Sequence, residues 1–93
     1  MSANVQHDEG KHEFYIEFPE GKAFLHYKRE NDILNFHHTF VPPELRGRGL
    51  AEEVVKAGFD YAEKKHLKVI PSCPYVARLV MKNSKWKQFV TRW

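Results

Sequence analysis

The sequence predicts an α+β fold, α/β in part, in which a three-strand antiparallel meander leads into a β-α-β unit and a C-terminal helix. Three observations predict it: alternating apolar residues before position 42, helical periodicity after position 50, and a short apolar run at 67–70. With 93 residues, 42% hydrophobic and 14% aromatic, the chain suits one core and has no room for a second. Residues 1–10 read as a flexible polar arm, and residues 11–93 as a single domain.

Phe14, Ile16 and Phe18 fall on one face at period two, and Pro19-Glu20-Gly21 then supplies turn chemistry. In the second strand Ala23, Leu25 and Tyr27 alternate with Phe24, His26 and Lys28. Glu30-Asn31-Asp32 makes the next turn, and a third strand covers 33–41. Pro42-Pro43 ends it, because two successive prolines remove two ladder donors and bias the residue before them away from helix.

Leu50, Val54, Ala57 and Tyr61 share one helical stripe, widened by Ala51, Val55, Gly58 and Ala62. Glu52, Glu53, Lys56, Asp60, Glu63 and Lys64 face water. Acids in the first turn and Lys64-Lys65-His66 in the last suit the helix dipole. The 25 residues between Val41 and Leu67 suffice for a crossover that lays 67–70 parallel to the third strand. A second helix is expected to start at Cys73-Pro74, run through Val76, Leu79 and Val80 to Lys82, and stop at Asn83-Ser84. Trp86, Phe89 and Trp93 are expected to anchor the tail against the core.

Fifteen Lys and Arg against twelve Asp and Glu give a formal charge of +3. Five of those cations and none of the acids lie in 78–93, which fits either a solvated basic face or contact with an anion. One cysteine allows no internal disulfide and suits a reducing compartment, so a cytoplasmic location is expected. The first residues lack a basic region followed by an apolar stretch, and no apolar run approaches bilayer length, so neither secretion nor membrane insertion is expected. No His-x-x-x-His, Cys-x-x-Cys or carboxylate cluster appears at ligand spacing, so no metal is expected. His7, His12, His26 and His66 read as surface residues.

Arg46-Gly47-Arg48-Gly49-Leu50-Ala51 joins the third strand to the long helix. Two glycines allow close backbone approach, and the loop opens into a helix N-terminus whose unpaired amides attract anions. Arg46 and Arg48 add positive charge, and Ala51 keeps the first turn slim enough for a ligand to lie against it. The same glycines would also serve a plain tight connection.

Arg46, Gly49 and Ala51 match the acetyl-coenzyme A loop of the GNAT superfamily of N-acetyltransferases, which this sequence resembles. The likeness runs from about Phe14 to Trp86 and is nearest to a short, single-domain subgroup called YjdJ-like. It rests also on His38-Thr39-Phe40-Val41-Pro42 and on Pro71-Ser72-Cys73-Pro74-Tyr75-Val76. The resemblance implies that the third strand and the next parallel strand splay apart. Coenzyme A would then place its pantetheine arm in the gap, bonded to backbone near Phe40 and Val41, with its diphosphate on the amides of Gly47, Arg48, Gly49, Leu50 and Ala51.

Cys73 stands at the expected N-cap of the last helix, where the dipole favours thiolate, although a lone cysteine also serves as buried filler. The resemblance places a cysteine of the short subgroup beside the acyl group. His38 shares the parity of Leu34, Phe36 and Phe40, whereas His37 goes with Asn35 and Thr39. If the third strand neighbours 67–70, His38 can approach Cys73 and take a proton from thiol or amine; it would otherwise be a core histidine. Tyr75 matches, through larger relatives, a tyrosine that protonates the leaving thiolate, and aromatic packing explains it as well.

The reading is an acetyl-coenzyme A-dependent N-acetyltransferase acting on an unidentified amine, directly or through Cys73. One alternative is a non-catalytic acyl-coenzyme A-binding domain, since the first strand starts where larger relatives carry a helical segment that shapes the acceptor pocket. Another is a small nucleic-acid-binding module built on the basic C-terminal run with Trp86 and Trp93.

Overall fold

The computed structural model describes residues 4–91. The strands are β1 (Gln6–Asp8), β2 (Glu13–Phe18), β3 (Gly21–Glu30), β4 (Ile33–Phe40) and β5 (Lys68–Ile70). The helices are α1 (Leu50–Lys65), α2 (Pro74–Met81) and α3 (Ser84–Lys87). One mixed sheet runs β1-β2-β3-β4-β5; its first four strands are antiparallel, and β5 is parallel to β4. Val90 adds a parallel bridge to Val69 beyond β5. Among the described residues no helix is long and apolar enough to cross a membrane.

Alternation sends Phe14, Ile16, Leu25, Tyr27, Leu34, Phe36 and Val69 to one face of the sheet. Val54 and Phe59 of α1, Val76 and Val80 of α2, and Trp86 of α3 join them in a single cluster, so the helices stack on that face. The opposite face carries Tyr15, Phe24, His26, His38 and Phe40. The buried residues of α1 are Leu50, Val54, Val55, Gly58, Phe59 and Ala62, so its stripe is turned toward Phe59, with Ala57 and Tyr61 on the flank.

Of the expected arm over 1–10, residues 1–3 lie outside the described residues, and over 6–8 the expectation is corrected by β1, which pairs Gln6 with Tyr15, His7 with Phe14 and Asp8 with Glu13. His7 holds it there and is no surface residue. Its ring stacks on Phe14 at 4.0 Å and meets Tyr61 edge-on at 4.6 Å, while its Nε2 lies 2.6 Å from the Tyr27 hydroxyl. His26 is likewise half-buried, 2.8 Å from the Glu13 carboxylate, whereas His12 and His66 are exposed.

A bulge in β4 changes the parity read from the sequence. His26 pairs with His38 but Tyr27 pairs with Phe36, so His37 has no partner across the ladder. Beyond it Thr39 lies opposite the buried Leu25 on the helix side, and His38 and Phe40 turn to the other face.

At the C-terminus two helices replace the one expected. Asn83 does end α2, but its Oδ1 accepts the Trp86 amide and caps α3. Trp86 is buried and stacks on Phe59, ring centroids 4.7 Å apart. Phe89 is partly buried against the same core, and the third expected anchor, Trp93, lies outside the described residues.

Candidate functional site

After β4 the two prolines set a 3-10 turn, Pro43–Leu45, which buries Leu45 and throws the next four residues outward. Gly47 (φ 86°) and Gly49 (φ 73°) both occupy the left-handed region that side chains rarely adopt. A Cβ at either would meet nothing within 4 Å, so conformation requires these glycines and the space over them is open. Gly49 caps α1 without a side-chain hydrogen bond, which leaves first-turn amides free to bind an anion.

The groove beside this loop has a volume of about 420 Å³. One wall is the end of β4 (Thr39, Phe40, Val41) with Tyr75 of α2. The other is Leu45, Arg46, Gly47, Gly49, Leu50 and Ala51. The structure thus brings together Phe40, Val41, Arg46, Gly47, Gly49, Leu50, Ala51 and Tyr75. Arg48 is exposed and outside the lining. Arg46 has a second task, since its Nε donates to the Val41 carbonyl at 3.1 Å and ties the loop to β4.

Cys73 does cap α2, but it is only 6% exposed and does not line the groove. Its amide donates to the Phe36 carbonyl at 2.9 Å, and its thiol lies 3.6 Å from the Thr39 hydroxyl. Burial pushes the thiol up. The Val76 amide, the Thr39 hydroxyl and the amides of Tyr75 and Thr39 outweigh it and hold the thiol below its ordinary value. Tyr75 is pushed up, by burial first, then by the Glu52 carboxylate and by Cys73, against Arg78. Its hydroxyl therefore stays protonated at neutral pH and can donate.

His38 does not meet Cys73. It is exposed on the far side of the sheet, with its ring 5.7 Å from Phe24 and 6.4 Å from His26. The bulge puts Thr39 in the place the sequence gives to His38, and Thr39 is the site residue that alternation misses. Nothing in His37-His38 marks which of the two steps out of register. Among the described residues no three His, Cys, Asp or Glu side chains gather closely enough to hold a metal ion. Trp86 is part of the core and offers no face for stacking on a base.

Residues 13–89 match the family model described as GCN5-related N-acetyl-transferase. The chain is 32% identical over 82 residues to Protein NATD1 of Gallus gallus, covering 85% of this chain and 74% of that one. It is 31% identical over 85 residues to Protein NATD1 of Xenopus tropicalis, with 88% and 78% covered. Among solved structures it superposes, with a TM-score of 0.76 and 26% identity, on a GCN5-like N-acetyltransferase candidate from Staphylococcus aureus determined by NMR. That match covers 97% of this chain and 89% of the other. Fold, loop and sequence agree, and this chain belongs to the GCN5-related N-acetyltransferase family.

Proposed function

We propose that this protein holds acetyl-coenzyme A in the groove between β4 and α1 and passes the acetyl group directly to an amine. The observation that carries the reading is the uncapped N-terminus of α1 opening on a groove of about 420 Å³. The residues present suit a pyrophosphate there: main-chain N–H groups at the start of α1, open space over Gly47 and Gly49, and a fixed cation at Arg46. Acetyl-coenzyme A, when bound, supplies an activated acyl carbon. Phe40 and Val41 would flank its pantetheine arm, with one lone pair of the Val41 carbonyl already taken by Arg46. Tyr75 Oη, kept protonated at neutral pH, is the proton donor for the departing sulfur.

Direct transfer is favoured because Cys73 stands behind the groove wall and His38, its expected base, lies across the sheet. The hydrogen bonds that lower the Cys73 thiol support a second, covalent reading. There the thiolate would attack the thioester carbonyl, a new C–S bond replacing the old. The released thiolate would take the Tyr75 proton, and the amine would then displace Cys73.

Thermal unfolding with and without acetyl-coenzyme A tests the binding step. Gly49→Val should lose the ligand-induced rise in Tm that the parent shows, and an equal rise in both would end the assignment. Release of free thiol against a panel of amines separates an enzyme from a silent binder. An acetyl adduct in intact mass that disappears in Cys73→Ala would replace direct transfer by the covalent route.

A further inference from the structure

We propose that Thr39 is a catalytic residue whose hydroxyl donates a hydrogen bond to the thioester carbonyl oxygen and stabilises the charge that gathers there as the amine attacks. The role rests on acetyl-coenzyme A occupying the groove, as proposed above.

The direction of the groove puts its reacting end at Thr39. With the diphosphate at the mouth of α1, the groove runs from that mouth past Val41 and Phe40 to Thr39 and Tyr75. These two residues stand together because one sulfur meets both. Cys73 Sγ lies 3.6 Å from the Thr39 hydroxyl and is also held by the main-chain N–H groups of Tyr75 and Thr39. Three side chains along the groove carry a hydrogen-bond donor, namely Thr39, Arg46 and Tyr75. Arg46 belongs to the loop end, where its Nε donates to the Val41 carbonyl at 3.1 Å. Tyr75 serves the departing sulfur, which leaves Thr39 for the carbonyl oxygen.

The bulge in β4 delivers this hydroxyl. Strict alternation from Leu34 and Phe36 would give the place to His38, but His37 takes the extra step and Thr39 lies opposite the buried Leu25, on the groove side of the strand. A hydroxyl has one proton to give and two lone pairs to receive with. The Cys73 thiol, only 6% exposed behind the wall, can give its proton to one of those lone pairs. That contact sets the rotation of the hydroxyl and leaves the Thr39 proton for the groove. In direct transfer Cys73 is then a positioning residue.

In the transfer step the amine nitrogen bonds to the acyl carbon, the carbonyl oxygen takes on negative charge, and the C–S bond breaks as that charge returns. Tyr75 gives its proton to the sulfur and regains one from the nitrogen by way of solvent. The Thr39 proton stays on its own oxygen, and its hydrogen bond is strongest when the charge is greatest.

Infrared difference spectra of bound acetyl-coenzyme A, isotopically labelled at the thioester carbonyl, read this bond without turnover. The carbonyl stretch should move to higher frequency in Thr39→Val and Thr39→Ala, and return toward the parent's position in Thr39→Ser. Cys73→Ala should keep the parent's low frequency, and every variant should keep the ligand-induced rise in Tm. With an amine that releases free thiol, Thr39→Val should lower kcat roughly a hundredfold and leave KM for acetyl-coenzyme A near the parent's. A carbonyl that absorbs alike on the parent and on Thr39→Val, with ligand bound to both, overturns the role and leaves the groove reading intact. So does a Cys73→Ala spectrum shifted as far as that of Thr39→Val, since the donor would then be the thiol. A parent that acetyl-coenzyme A does not stabilise ends the groove reading and the role together.

Discussion

The hydroxyl of Thr39 lies 3.6 Å from the thiol of Cys73, across the opening between β4 and the turn that follows β5. Because Thr39 also lines the groove, this contact links the thiol to the wall against which a thioester would lie. The bond favours thiolate, so removing it should raise the Cys73 pKa and lower the thiolate fraction at neutral pH. Thr39→Val keeps the shape of the strand residue. Iodoacetamide should then modify Cys73 about two- to tenfold more slowly, the range that one net hydrogen bond supplies. An unchanged rate would show that the hydroxyl does not reach the sulfur.

Glu13 is a carboxylate only 6% exposed on its side chain, bridged by His26 and Lys22. Burial pushes its pKa up, but hydrogen bonds from His26 and Lys22 outweigh this and hold it below the ordinary carboxylate value. A folded-state value below the unfolded one means stability that is present above the ordinary value and lost as pH falls through the lowered one. Both partners are more than a third exposed, so solvent screens the pair and the gain is about 1 kcal/mol. Urea titrations should find Glu13→Gln less stable than the parent near neutral pH, with the gap closing in acid. A gap that persists at low pH would mean the effect is packing and not charge.

Gly58 lets α1 lie close against the sheet. A Cβ there would stand 2.8 Å from Cζ of Phe36 and 3.0 Å from Cδ2 of Leu25. Phe36 is fully buried and wedged edge-on by Phe59 at 5.3 Å, so it has little room to yield. Alanine gains about 1 kcal/mol of helix propensity, and overpacking costs about 1–3 kcal/mol. Gly58→Ala should therefore be destabilised by about 1 kcal/mol in chemical denaturation. A more stable variant would show that the helix can lift without loss.

Local signals made much of this fold legible. Period-two runs located β2, β3 and β4, the proline pair marked the end of β4, and the glycine loop marked the mouth of α1. Those residues depend on their immediate neighbours, so spacing alone reveals them. What stayed hidden depends on contacts between distant segments. β1 exists because His7 finds Phe14, Tyr61 and Tyr27, residues as far as 54 positions away. The bulge at His37 is a property of the β3–β4 register, and it exchanges His38 for Thr39 at the site. Alternation is read along one strand and cannot sense a step that two strands take together.

The contact between His7 and Tyr27 makes the docking of β1 sensitive to pH. The Tyr27 hydroxyl is pushed up to about 12, chiefly by burial and by its neighbour Tyr61, so it stays protonated and can donate to His7 Nε2, 2.6 Å away, when that nitrogen carries no proton. That nitrogen is then the acceptor, and the folded state prefers the neutral ring. Burial holds His7 below its ordinary value and His12 adds to this, while Glu9 and Asp8 pull the other way. The folded-state pKa thus lies below the unfolded value of 6.5, so the stability carried by the neutral ring is full above 6.5 and is lost as pH falls through the folded value. His7→Gln keeps an acceptor near the hydroxyl but does not titrate. Between mildly alkaline pH and about pH 5 the parent should lose stability relative to this variant. Urea unfolding of both proteins across that range measures the difference, and two curves that run parallel would show that β1 is held without regard to the charge on His7.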